Sequence, residues 1–155
     1  DSKNACFNLS DFVLNCRLIE CNYPNYNSVI PTNNPNRLII DRALFVNVLR
    51  RVSVFADAAL GLAKLQLKNG ELVVSTENKD YSISAEEKVA CNYTGDDLTI
   101  GFKASFLIEI LNNISATEVL VELSDPTRAG VILPLENKEN EDLLMLLMPM
   151  MLSDF

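Results

Sequence analysis

Histidine is absent from the 155 residues, which removes His-based catalytic triads, His general bases and His metal ligands together. Glycine (5) and proline (6) are too few for a low-complexity or collagen-like chain. Cations are scarce as well: 13 Lys and Arg against 21 Asp and Glu give a formal net charge of -8, which argues against gripping nucleic acid by bulk charge. The longest apolar run, 143–152, is ten residues long and contains Pro149, too short to cross a membrane as a helix. The four cysteines, Cys6, Cys16, Cys21 and Cys91, form no C-x2-C pair of the kind used by zinc sites and redox motifs. Cys91 stands about seventy residues from the others and nothing resembles a signal peptide, so the expectation is buried free thiols in a reducing cytoplasm. No G-x-S-x-G, P-loop or Rossmann glycine pattern occurs, so no catalytic residue, metal ligand or cofactor site is assigned.

What is present is a near-average folded composition, 48% apolar and 22% charged, at a length that suits one compact domain with at most a piece of a neighbour. The first residues lack an initiator Met and start close to a strand, so the sequence reads as cut from a longer protein. Residues 5–9 and 12–19 read as two strands around a Ser10-Asp11 turn. Residues 22–36 hold three prolines and six asparagines and read as an irregular connector, which places a domain boundary there, between 1–36 and 37–155.

Beyond the connector, 37–40 is a short strand. Asp41 then caps an amphipathic helix with Leu44, Phe45, Val48, Leu49, Val52 and Phe55 inward. Strands at 63–67 and 71–76 flank Asn69-Gly70, a strong hairpin signal, and 81–89 alternates as another strand. Residues 98–102 are again a strand and 104–114 again a helix, with Leu107, Ile110, Leu111 and Ile114 inward. Three more strands follow at 118–123, 130–135 and 143–151, the last two linked by an acidic loop, 136–142. The halves 37–89 and 98–151 share one order: strand, helix, three strands. The expected architecture is therefore α+β, a duplicated unit with both helices on one face of antiparallel sheets.

Several surfaces carry two readings each. Glu86-Glu87, Asp96-Asp97 and the 136–142 run read as solvated turns; a metal bound at either pair would instead point to a carboxylate enzyme. Val54 follows Arg50 by four residues and falls on the polar side of the first helix, either as a single exposed valine or as part of a partner surface. Arg42, Arg50, Arg51 and Lys103 put basic groups on or beside helices in an acidic chain, with solvated charge as the plain account. The run 143–152, with four methionines and Pro149, is either an edge strand of the core or a groove for varied apolar partners.

The end Leu146-Leu147-Met148-Pro149-Met150-Met151-Leu152 resembles the V-x-M-P-M-R-L terminus of the bacterial sliding clamp family, the beta subunit of DNA polymerase III. Residues 18–26, Leu-Ile-Glu-Cys-Asn-Tyr-Pro-Asn-Tyr, are similar to that family's L-I-E-G-x-F-P-x-Y, which leaves its middle domain and enters its third. Residues 95–102 are similar to its G-x-x-x-x-I-G-F. The resemblance implies a DNA-clamp fold, with 1–36 as the last hairpin of the middle domain plus connector and 37–155 as the third domain. It implies a non-catalytic processivity factor in the bacterial cytoplasm, a head-to-tail homodimeric ring around duplex DNA. Its partners are then the polymerase III alpha subunit, the clamp loader and repair proteins, bound through short linear motifs.

On the same resemblance, one wall of the partner groove maps onto Pro24, Ser28, Val29, Thr127, Ala129, Leu146, Met148, Pro149, Met150 and Leu152. The ring interface maps onto Val54 and Phe55, and weak DNA-facing charge onto Arg50, Arg51 and Lys103. Three positions depart from the family pattern: Ser28 stands where arginine is common, Met151 replaces a frequent terminal arginine, and Cys21 occupies a glycine position. The alternative function is a stand-alone peptide-binding domain of clamp-like fold that never encircles DNA; two further copies of the duplicated unit upstream would exclude it.

Overall fold

The structure is a computed structural model and describes residues 3–152. It opens with an antiparallel hairpin, β1 (Asn4–Asn8) and β2 (Val13–Arg17), whose ladder runs from Asn4↔Arg17 to Asn8↔Val13. The expected turn centre holds, with the Leu9 amide donating to the Phe12 carbonyl at 2.9 Å, but the first strand is shifted by one residue and the second is shorter than the pattern implied. Phe7, Phe12, Val13 and Leu14 are each about half exposed or more, so neither face of this hairpin is covered. The connector carries a single 3-10 turn, Tyr26–Ser28.

The main body runs β3 (Asn36–Asp41), α1 (Arg42–Ser53), β4 (Leu62–Lys68), β5 (Glu71–Asn78), β6 (Ile83–Ala90), β7 (Asn92–Thr94), β8 (Leu98–Lys103), α2 (Ala104–Asn112), β9 (Glu118–Leu123), β10 (Gly130–Pro134) and β11 (Met145–Leu147). Asp41 caps α1 as the sequence implies, its carboxylate accepting from the Leu44 amide at 2.7 Å. The inward face of α1 is Phe45, Val46, Val48, Leu49 and Val52. Leu44 and Phe55, expected inward, are instead 41% and 42% exposed, because one sits in the first turn and the other lies past the last. Val46 takes a place on the buried side. Gly70 adopts φ +78° in the β4–β5 turn, the left-handed conformation that the Asn-Gly pair supplies cheaply. β6 starts at Ile83 rather than at Tyr81, since Ser82 turns the chain at φ +52°. α2 ends at Asn112, yet Ile114 is still buried just beyond it.

All strand pairs are antiparallel and fall, beside the hairpin, into two sheets ordered β11-β10-β9-β3-β7 and β6-β5-β4-β8. The duplication is plain, and the halves trade their leading strands. β3 of the first half pairs with β9 of the second, and β8 of the second half pairs with β4 of the first. Strand β7, which has no counterpart in the sequence pattern, is a three-residue addition on the outer side of β3. The helices pack against each other, and α1 also packs against β3, β4, β5 and β6. One core results, with Leu38, Phe45, Leu49, Leu65, Phe102, Leu107 and Leu111 fully buried.

Two further expectations are corrected. The cysteines are free but not buried: Cys6 and Cys21 are exposed and Cys16 and Cys91 half-buried, since the first three lie on the uncovered hairpin and connector. The last strand does not run over 143–151. Its ladder on β10 covers only Met145–Leu147, and Pro149, which has no amide hydrogen, ends it.

Candidate functional site

Past that proline the chain does not leave the body. The Met150 amide donates to the Gly101 carbonyl of β8 at 2.8 Å, an isolated antiparallel bridge to the other sheet. Residues 147–150 thus cross from the edge of the five-stranded sheet to the edge of the four-stranded one. Strand alternation buries Leu147 and turns its neighbours outward: Met148 is 66% exposed and Leu146, Pro149, Met150 and Leu152 are half-buried. Met151 is 89% exposed. The result is an apolar surface on a stretch of chain held at both ends.

The β9–β10 loop runs beside this stretch, with Thr127 exposed and Ala129 buried. Gly130 pairs with Leu147, so Ala129 comes to the end of the same ladder, next to Met148. Thr127 is fixed by Asp125, whose carboxylate accepts from the Thr127 amide at 2.8 Å and from its hydroxyl. These bonds, the hydroxyl's foremost, hold the Asp125 carboxyl below the usual carboxylate range. Behind the loop, the buried Asn36 side chain donates to the Ser124 carbonyl at 2.9 Å and accepts from the Asp96 amide at 3.0 Å.

Pro24, Ser28 and Val29 are exposed and stand on a separate stretch whose hydrogen bonds are local. Ser28 donates its hydroxyl to the Asn25 carbonyl at 2.7 Å, and Tyr23 meets Tyr26 edge to face. Cys21 is not among the described non-glycine residues with positive φ, which are Ser82 and Asn140 alone, so the lost glycine introduces no left-handed strain there.

On the helices, Val54 is 76% exposed at the end of α1, with the half-exposed Phe55 beside it. Arg50 is exposed, and Lys103 holds its ammonium 5.1 Å from the Phe106 ring centre. Arg51 differs: its guanidinium makes a two-pronged ion pair with Glu87 on β6, with Nε 3.0 Å from Oε2. The hydrogen bond from Arg51 lowers the Glu87 carboxyl below its ordinary range. Arg42 is consumed within the fold, donating to the Ala116 carbonyl at 2.9 Å and to that of Leu111 at the end of α2. Among the described residues no group of three or more His, Cys, Asp or Glu side chains is placed to hold a metal ion. No described helix is long and apolar enough to cross a membrane.

The sequence model of the DNA polymerase III beta subunit, C-terminal domain, matches residues 27–151. The chain belongs to this family of sliding clamps. It is 26% identical to the beta sliding clamp of Proteus mirabilis over 151 residues, 97% of this chain and 40% of that protein. Against the beta sliding clamp of Treponema pallidum it is 30% identical over 152 residues, covering 96% and 40% of the two. A sliding clamp structure from Bartonella birtlesii aligns with a TM-score of 0.88 at 32% identity, over 98% of this chain and 42% of that one. A Pseudomonas aeruginosa sliding clamp bound to griselimycin aligns at 0.90 and 26% identity, over 97% and 40%. The chain spans about 40% of the length of the curated relatives it matches. As the C-terminal part of a sliding clamp it presents three separate surfaces: the apolar wall at 146–152, the α1 end at Val54 and Phe55, and the uncovered hairpin.

Glu86 and Glu87, read from the sequence as a solvated turn, lie instead on β6, where Glu87 pairs with Arg51; sequence reasoning also missed the roles of Asn36 and Gly101. Only Gly101 left a signal, since a glycine inside a strand marks close approach of another backbone.

Proposed function

We propose that this chain is the C-terminal part of a ring that encircles duplex DNA and tethers a replicative polymerase and other partners for processive synthesis, without chemistry of its own. Residues 1–36 are then the last hairpin and exit connector of a middle domain, and 37–155 the third domain. The observation that carries the reading is the apolar wall Leu146, Met148, Pro149, Met150 and Leu152, exposed at Met148 and half-buried elsewhere, flanked by Thr127 and Ala129, on a segment pinned at both ends. Such a wall suits an aliphatic and aromatic peptide segment. The polymerase alpha subunit, clamp loader and repair proteins dock there through short motifs. Pro24, Ser28 and Val29 contribute from the connector. Adaptability comes from methionine, whose unbranched, flexible thioether side chain repacks around different partners.

Val54 and Phe55 close a head-to-tail homodimer with a preceding domain of the partner, in the bacterial cytoplasm. Arg50, Arg51 and Lys103 face the DNA. The exposed apolar side chains of β1 and β2 support a neighbour on that hairpin, because a two-stranded sheet bare on both faces is not stable by itself. The test is a calorimetric titration of griselimycin, the molecule bound in the P. aeruginosa relative, against this chain and against the intact parent. Saturable binding that Met148→Ala weakens in both proteins is expected. Equal affinity in wild type and variant would place the site elsewhere.

A further inference from the structure

We propose that Gly101 is a positioning residue for the apolar wall: its missing side chain lets the segment after Pro149 seat on β8. That seat sets how Met148 and Met150 face a bound peptide. The inference rests on the peptide-wall reading above.

Gly101 is buried in β8, opposite Lys64 of β4 on one side and bridged to Met150 on the other. Its carbonyl receives the Met150 amide at 2.8 Å, the bond that brings the segment across to the second sheet. A Cβ added at Gly101 would lie 2.8 Å from Leu152 Cδ2, 2.8 Å from Leu62 Cδ1 and 3.1 Å from the Met150 carbonyl oxygen. Carbon atoms normally keep about 3.5–4.0 Å apart, so these contacts are repulsive. The backbone of Gly101 is not in the left-handed region, so the requirement for glycine here is one of space and not of conformation. Of the groups around it, Leu62 belongs to β4 inside the sheet, whereas Leu152 and Met150 lie on the terminal segment. Both leucine contacts are side-chain ends that can turn aside, whereas the one backbone atom in reach, the Met150 carbonyl oxygen, lies on the terminal segment, so the segment bears the displacement. Because Gly101 is buried, a substitution there acts on the wall through that segment.

The experiment compares wild type with Gly101→Ala by amide hydrogen exchange at Met150 and by griselimycin titration. Gly101→Ala should expose the Met150 amide to exchange and weaken binding by about tenfold or more, tenfold being the change that 1.4 kcal/mol makes. Asp41→Ala, which removes the α1 cap, should lower the unfolding midpoint and leave both readouts at wild-type values; this separates positioning from lost stability. If Gly101→Ala does not fold, Gly101→Ala with Leu62→Ala removes one of the two close carbons outside the wall, and this double variant should show the same loss of Met150 protection. Retained protection of Met150 in whichever variant folds overturns the proposal. Wild-type binding with unchanged affinity in the variant overturns the positioning role alone. Absence of any wild-type binding overturns the peptide-wall reading and, with it, the coupling to affinity.

Discussion

The side chain of Asn36 fills the space that a side chain on Gly95 would need. Gly95 sits at φ +133°, and a Cβ built there would lie 2.8 Å from the Asn36 Cα and against its amide oxygen. Asn36, only 4% exposed, uses that oxygen and its amide nitrogen to tie the β7–β8 turn at Asp96 to the β9–β10 loop at Ser124. The pair joins the first residue of β3 to the loop that carries Thr127 and Ala129.

Asn36→Ala is therefore expected to destabilise the chain by about 1–3 kcal/mol, since it removes two hydrogen bonds made by a buried side chain. Gly95→Ala should cost at least as much, through both overlap and backbone conformation. Urea unfolding of each variant would show a lower midpoint at an unchanged slope. A wild-type midpoint in both would contradict the role given to this pair.

The Arg51–Glu87 pair has a defined pH signature. Glu87 has its folded pKa lowered, so its contribution is present above the ordinary carboxylate range and is lost as pH falls through the lowered folded value. Both groups are substantially exposed, so the effect is small and shrinks with added salt. Glu87→Gln should lower the urea midpoint at neutral pH and converge with wild type in acid. A gap of constant size from neutral to acid pH would exclude the pair as its cause.

In the intact parent, Val54→Ala with Phe55→Ala should shift dimer toward monomer by roughly 3–5 kcal/mol, the value of burying two such side chains. Both are exposed here, as an unpartnered contact requires. Sedimentation equilibrium measures the constant directly. An unchanged dimerisation constant would move the ring interface elsewhere.

This chain should bind a short DNA duplex no tighter than micromolar at about 150 mM salt. Arg42 is engaged inside the fold and Arg51 is paired with Glu87, which leaves Arg50 and Lys103 as the less committed of the four basic groups considered, in a chain of net charge -8. Submicromolar binding by fluorescence anisotropy would show a phosphate-gripping surface that the sequence does not reveal.

The elements that could be read from the sequence are those written locally. Asp41 before a 3.6-residue apolar period, and Asn69-Gly70 between alternating strands, declare the helix and hairpin they form. β7 was missed because three residues carry no period. The traded leading strands were invisible because pairing between residues far apart leaves no mark in either segment. At the apolar wall, Met148, Pro149 and Met150 announced a strand end and an adaptable surface, but the crossing to Gly101 depends on the second sheet's position. Arg51 looked like free charge, since its partner Glu87 lies 36 residues away on another element.

The traded strands also constrain how the body comes into being. Neither half can complete a sheet by itself. β3 waits for β9, whose register partner for Asn36 is Leu123, so the first half emerging from a ribosome holds an open seam until β9 has been made. Closure over so long a loop is entropically slow, and the order of assembly is set by topology before any side chain chooses it. Two identical half-chains would satisfy each other by the same trade.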